Sequence, residues 1–220
     1  MNEFEAISRY FAPLATGPGA FALKDDAAIV RPRPGFDLVL TADQVAEGTD
    51  FFPGTSPGLV AKKALRVNLS DLAAKGAMPA YYLLALSLPS GVDEEWLEAF
   101  ASGLKEDQDI FQLSLLGGDM QSAAGPVAVG ITAIGFVPEG GMVTRAGARP
   151  GDDIYVTGTI GDSGAGLSLV KSGREGESGE ARALVARYHL PEPPVGFAPG
   201  LRKLATAAID VSDGLMADLG

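Results

Sequence analysis

Between Ser56 and Pro79 the sequence writes one helix with both ends marked, and that element constrains what can surround it. Ser56 is a capping residue type, and Pro57 stands at the first helical position, where its missing N–H costs nothing. Gly76 and Pro79 stop the run from Gly58 to Lys75. Asp71 lies inside this run. Ala64 and Val67 precede it by seven and four residues, so helical spacing sets the carboxylate on a face of small apolar side chains, where an unpaired charge is costly. Such a group calls for a partner, and a cation would serve.

The flanking segments alternate between strand and helix patterns. Residues 2–11 place Phe4, Ile7 and Phe11 at helical spacing behind Asn2, which predicts a short amphipathic helix. Residues 27–30 and 36–40 read as two strands about a turn at Pro32, Pro34 and Gly35. Residues 81–88 read as a strand buried on both faces, and residues 92–107 as a helix in which Trp96, Phe100 and Leu104 recur as core positions. A further strand over 113–116 ends at Gly117-Gly118-Asp119, and residues 127–137 alternate in the manner of another. The pattern predicts an α/β (α+β) fold. The stretch Gly17-Pro18-Gly19-Ala20-Phe21-Ala22 imitates a dinucleotide fingerprint, but neither a preceding strand nor a following helix supports it.

Pro138-Glu139-Gly140-Gly141 marks a boundary, which divides the chain into regions 1–138 and 139–220. The second region predicts a strand over 154–157 and helices over 161–170, 181–189 and 201–208. It closes on Asp210-Val211-Ser212-Asp213-Gly214 and a last helical turn. Its two candidate strands are thin for a sheet, so it reads as the first part of an α/β domain whose chain continues.

Composition narrows the chemistry. Seventeen Lys and Arg against 28 Asp and Glu give a net charge of −11 with the single histidine neutral, which disfavours a nucleic-acid partner. The absence of cysteine excludes disulfides, thiolate zinc sites and a cysteine nucleophile, so any metal should be hard and oxygen-bound. The start is acidic rather than signal-like and no apolar run reaches membrane-spanning length, which predicts a cytoplasmic protein. Asp25-Asp26, Asp43, Asp71, Asp119 and Asp210 with Asp213 adjoin strand ends or glycine turns, from which side chains converge at a sheet rim. Any one of them fits an ordinary turn or cap, but together they suit phosphate chemistry, in which Mg²⁺ held by carboxylates offsets repulsion between polyanions. No P-loop and no protein-kinase signature is present.

Seven segments are more specific. Lys24-Asp25-Asp26-Ala27-Ala28, Thr41-Ala42-Asp43, Val67-Asn68-Leu69-Ser70-Asp71-Leu72-Ala73-Ala74-Lys75-Gly76-Ala77 and Leu116-Gly117-Gly118-Asp119 come first. Thr144-Arg145-Ala146-Gly147-Ala148, Val156-Thr157-Gly158 and Ile209-Asp210-Val211-Ser212-Asp213-Gly214-Leu215 follow. In order and spacing they resemble the thiamine-monophosphate kinase family, within the aminoimidazole ribonucleotide synthetase superfamily. The resemblance implies an N-terminal mixed-sheet domain that forms a homodimer through its sheet, followed by an incomplete C-terminal α/β domain. It implies transfer of a phosphoryl group from ATP to thiamine monophosphate. Carried over by position, Asp26, Thr41, Ala42, Asp43, Asp71, Asp119, Asp210 and Asp213 would surround several Mg²⁺ ions. Gly118, Asp119, Arg145 and Ser212 would contact ATP, and Asp50 would stand at a substrate-contacting position.

The acceptor implied is a phosphate monoester whose second pKa of about 6 leaves it ionised at neutral pH, so direct in-line transfer needs no general base. The chain departs from the family's pattern at Lys24, where glycine is usual, at Ala42 for threonine, and at Asp50, where histidine is frequent. The family's later Gly-Gly-Glu-Asp segment falls beyond Gly220. The alternative is a Mg²⁺- and nucleotide-binding, dimer-forming module without turnover. His189 reads as a surface residue on a polar helix and Trp96 as core.

Overall fold

The computed structural model describes residues 2–220. The chain opens with α1 (Glu3–Ala6), closed by a reciprocal capping box: Asn2 Oδ1 accepts from the Glu5 N–H at 2.9 Å, and Glu5 Oε2 accepts from the Asn2 N–H at 3.0 Å. The expected helix over 2–11 is continuous but widens into a π turn over Ile7–Phe11. It buries Ala6, Tyr10 and Phe11.

Four strands make one sheet in the order β1-β4-β2-β3, comprising β1 (Phe36–Ala46), β2 (Met78–Leu88), β3 (Ser114–Ser122) and β4 (Ala128–Pro138). β4 runs antiparallel to both β1 and β2, whereas β2 and β3 are parallel. β1 and β2 therefore point the same way with β4 between them, and α2 (Pro57–Ala74) is the crossover that joins them. α3 (Glu94–Phe111) joins β2 to its neighbour β3. Both helices cover one face of the sheet. Val60, Ala61, Ala64, Leu65, Leu69 and Leu72 of α2 and Phe100 and Leu104 of α3 pack there against Tyr82, Leu84, Leu86, Leu115, Val129 and Ile131. Pro57 stands in the first turn of α2 as expected, but the Ser56 side chain makes no capping bond; α3 starts later than the expected residue 92, capped by Asp93, which accepts from the Trp96 N–H at 2.8 Å. Gly76 takes φ +70° just past α2, a left-handed turn that a side chain would strain.

Four expectations are corrected. Residues 27–30 form no strand, because the segment is tied back to Gly19 through the Ile29 N–H rather than into a ladder. β2 is buried only toward the helices, since Leu83 and Ala85 face outward on a sheet covered on one side. β3 does not stop at Gly117. It runs on to Ser122 through a bulge at Leu116, and Gly118 is needed within it because a Cβ there would collide with the Leu84 carbonyl. Residues 154–157 have no ladder partner among the described residues, so they are not a strand. Region 139–220 contributes α4 (Asp162–Ser172), α5 (Gly179–His189), α6 (Ala198–Leu204) and α7 (Leu215–Leu219).

Two buried polar groups cross-brace the core. Tyr82 Oη donates to Gln108 Oε1 at 2.8 Å, and Gln108 Nε2 donates to the Leu14 carbonyl at 3.2 Å. Asp107, fully buried on α3, accepts two bonds from Arg66 of α2, at 2.7 Å from Nε and 2.8 Å from Nη2. Arg66 Nη1 also donates to the Pro191 carbonyl at 3.1 Å, so the same guanidinium ties the second region to the first. Arg66→Met should destabilise the chain by about 3–5 kcal/mol, because it strands a buried carboxylate. Urea unfolding measures this, and replacing both partners by apolar residues should cost less than the single change.

Candidate functional site

The site is built where α2 lies along the free edge of β1. Asn68 is fully buried in the apolar stripe of α2; its Oδ1 accepts from the Asp43 N–H at 3.0 Å and its Nδ2 donates to the Ala64 carbonyl at 3.0 Å. This fixes β1 against the helix in one register. Two residues earlier on the same face of β1, the Thr41 hydroxyl donates to Asp71 Oδ2. The carboxylate that helical spacing placed on α2 thus meets the strand, and Asp43 stands beside it.

Asp210 arrives from the far end of the chain, and its carboxyl comes close enough to Asp71 and Ser70 for both to shift its titration. Burial, first, and then the neighbouring Asp71 charge hold the Asp210 carboxyl above its usual range, while Ser70 acts the other way. Asp43 is raised likewise by burial, then by Asp71 and Asp50. Three acids from three separate segments therefore repel one another across a small volume.

Two cations border the acids. Lys75, at the end of α2, is held below the usual lysine range by burial and then by the Arg145 charge, while Asp210 and Asp71 oppose that shift. Among the described residues neither Lys75 nor Arg145 makes an ion pair within 4 Å. Asp50 organises the turn after β1: its Oδ2 accepts from the Ala46 N–H at 2.8 Å, and its carbonyl accepts from Lys63 Nζ at 2.6 Å and Tyr188 Oη at 3.3 Å. Lys63 also lies 4.0 Å from the centre of the Tyr188 ring.

The structure thus gathers Thr41, Asp43, Asp71 and Asp210, with Asp50 on the margin and Arg145 reaching the group only through its neighbour Lys75. It does not bring the remaining candidates into the same bonds. Asp26 and Asp119 are exposed, the one in a loop and the other on edge strand β3. The Ser212 and Asp213 N–H groups donate to Asp218 in the last turn, and Ala42 faces away from α2. His189 is half-buried beside Tyr188 rather than a free surface residue, and burial followed by Lys63 lowers its pKa. Trp96 is core, stacked on Phe100 with ring centres 5.0 Å apart. Sequence reasoning gave no role to Asn68, Lys75 or Lys63. A polar residue within the apolar stripe Ala64, Leu65, Leu69, Leu72 was the available signal for Asn68.

The sequence family described as AIR synthase related protein, N-terminal domain, matches residues 24–137. The thiamine-monophosphate kinase of Caulobacter vibrioides is 47% identical over 219 residues, 99% of this chain and 61% of its own length. That of Escherichia coli K12 is 42% identical over 222 residues, 100% of this chain and 67% of its own. Among solved structures, the thiamine-monophosphate kinase from Stenotrophomonas maltophilia K279a superimposes with a TM-score of 0.83 at 42% identity, covering 90% of this chain and 63% of that one. The structure of AaThiL complexed with AMPPCP and TMP gives a TM-score of 0.80 at 34% identity, over 88% and 62%. The chain spans about three fifths to two thirds of the length of these relatives.

The crowded acids have a measurable cost. A carboxyl whose folded pKa lies above its unfolded value favours folding below the ordinary value of 3.8, and that contribution is lost as pH rises through the folded pKa. With chelator present, Asp210→Asn should therefore raise Tm at pH 7 by roughly 2 °C, under about 1 kcal/mol after solvent screening. The gain should vanish below pH 3.8. Thermal scans across pH check both parts.

Proposed function

Because the chain belongs to the thiamine-monophosphate kinase family, we propose that it carries the metal and nucleotide half of a site that transfers the γ-phosphoryl of ATP to thiamine monophosphate. The observation that carries this reading is the convergence of Asp43, Asp71 and Asp210, with Arg145 and Lys75 beside them. An acidic cluster bordered by cations suits a polyanionic substrate that arrives with its own counter-ions.

The donor set fits Mg²⁺. Its donors are hard oxygens, and the raised carboxyls are those a cation would relieve. Among the described residues no three acids close into one metal cage, so any Mg²⁺ held here would take one or two carboxylates and complete its shell with phosphate oxygens and water. Asp43, Asp71 and Asp210 with Thr41 would hold the ions, and Asp26, Ala42, Asp119 and Asp213 would join as further ligands once nucleotide is bound. When bound, the ions supply charge neutralisation along the phosphates. The chain's own groups orient: Arg145 offers a planar fork of donors to phosphate, with Gly118 and Ser212 contributing to ATP, and the Asp50 turn lies on the acceptor side. No residue needs to take a proton, since the acceptor phosphate is already ionised.

The same reading divides the chain at 138/139 and makes it a homodimer. Leu38, Leu40 and Leu83 are 39%, 61% and 37% exposed on the sheet face opposite the helices, an apolar surface suited to a second copy. Among the described residues no helix is long and apolar enough to cross a membrane.

Incubation with ATP, Mg²⁺ and thiamine monophosphate should yield thiamine diphosphate on chromatography, and Asp43→Asn should lower the yield at least about a hundredfold, the scale of losing a key electrostatic group. Binding of Mg²⁺ and ATP without product would favour the non-catalytic module; no binding would overturn both. Leu40→Asp should shift the sedimentation coefficient from dimer to monomer.

A further inference from the structure

Three segments distant in sequence meet at the last turn of α2. Lys75 Nζ donates to the Ala208 carbonyl at 2.8 Å, and the Ala208 N–H donates to the Thr144 carbonyl at 3.1 Å. The Val143 N–H donates to the carbonyl of Lys75 itself at 3.2 Å. A closed circuit thus runs from α2 to residues 143–144, on to Ala208, and back through one lysine side chain. Arg145 lies one residue beyond it on one arm and Asp210 two residues beyond it on another, while Asp71 sits one helical turn before Lys75. The two loops are joined to each other by that backbone bond and by the Thr206 hydroxyl, which donates to Asp152 Oδ2 at 2.6 Å. Among the described residues the amine is the one side-chain link from the helix to Ala208.

The amine is costly where it stands. It is half-buried, feels the Arg145 charge, and has no carboxylate within ion-pair distance, so its desolvation is offset only by the carbonyl bond and the more distant charges of Asp210 and Asp71. An exposed helix end would accept many residue types at lower cost. We infer that Lys75 is a positioning residue: through Ala208 it holds Asp210 near Asp71 and, by way of Thr144, keeps Arg145 on the same side, and so assembles the cation and phosphate site. This rests on the kinase reading above.

The test compares the full chain with Lys75→Met, which keeps the stem and loses the donor, and Lys75→Arg, which restores donor and charge. Hydrogen exchange over 205–213 reads the tether, and calorimetry with Mg²⁺ and a non-hydrolysable ATP analogue reads the site. In Lys75→Met exchange should rise and binding should weaken, each about tenfold, the scale of one charge-assisted bond, with recovery in Lys75→Arg. Unchanged exchange with weakened binding would overturn the inference, because Lys75 would then act only through its charge. Faster exchange with unchanged binding would also overturn it, leaving a tether of no consequence for the site. If the wild-type chain binds no nucleotide while exchange over 205–213 still depends on Lys75, the kinase reading fails and the tether stands. Lys75→Gln, which keeps a donor, supplies the comparison if the Met variant does not fold.

Discussion

One buried amide holds this architecture in register. Asn68 sits where a leucine would complete the apolar stripe of α2, and it spends its two polar atoms on the Asp43 N–H and the Ala64 carbonyl. β1 is an edge strand, paired only with β4, so its outer N–H groups need another partner. The Asn68 bond to the Asp43 N–H locks the alignment in which Thr41 faces Asp71. A slip of one residue would turn Asp43 and Thr41 to the opposite face and dissolve the site. Loss of the amide would leave the Asp43 N–H without this partner and cost up to about 1 kcal/mol.

The site built on that register is an electrostatic compromise. The fold spends stability to gather Asp43, Asp71 and Asp210, as the raised carboxyls record. It places Lys75 and Arg145 at the margin without letting either form an ion pair that would satisfy the acids permanently. Charges left partly unpaired are available to a ligand, whereas closed salt bridges would have to be broken first. The two-bond Arg66–Asp107 pair nearby is the contrast: it is fully satisfied, buried and structural.

The two faces of the sheet divide the work. Helices α2 and α3 bury one face into the core and carry the site along the β1 edge. The other face keeps Leu38, Leu40 and Leu83 exposed, which suits association of copies. The second region reaches the first mainly along α2, through Pro191 at Arg66, Ala208 at Lys75 and Tyr188 at the Asp50 turn. The helix most clearly marked in the sequence is thus the one on which every part of the site is hung.

Much of this was written locally. The caps at Asn2, Pro57, Asp93 and Gly76, the periodicity of α2 and α3 and the alternation of β4 are short-range patterns, and the chain realises them. The family pattern of their flanking residues picked out the acids as a set, of which the structure brings Asp43, Asp71 and Asp210 together and leaves Asp26, Asp119 and Asp213 apart; helical spacing alone put Asp71 on the face of Ala64 and Val67. What could not be read were relations between segments. The extent of β3 past two glycines depends on the Leu84 carbonyl beside Gly118, and the open face of β2 depends on both helices choosing the same side. Residues 27–30 fail to become a strand because they are tied back to Gly19, and 154–157 because no strand lies alongside them among the described residues. The roles of Asn68 and Lys75 likewise exist only once β1 and residue 208 are alongside α2. Sequence by itself determined which segments could be helix or strand and which carried charge, because those preferences lie within a few residues of backbone. The tertiary structure decided which edges are paired, which carboxylates repel and which amine reaches which carbonyl, because hydrogen bonds and Coulomb forces act on distance in space and not along the chain.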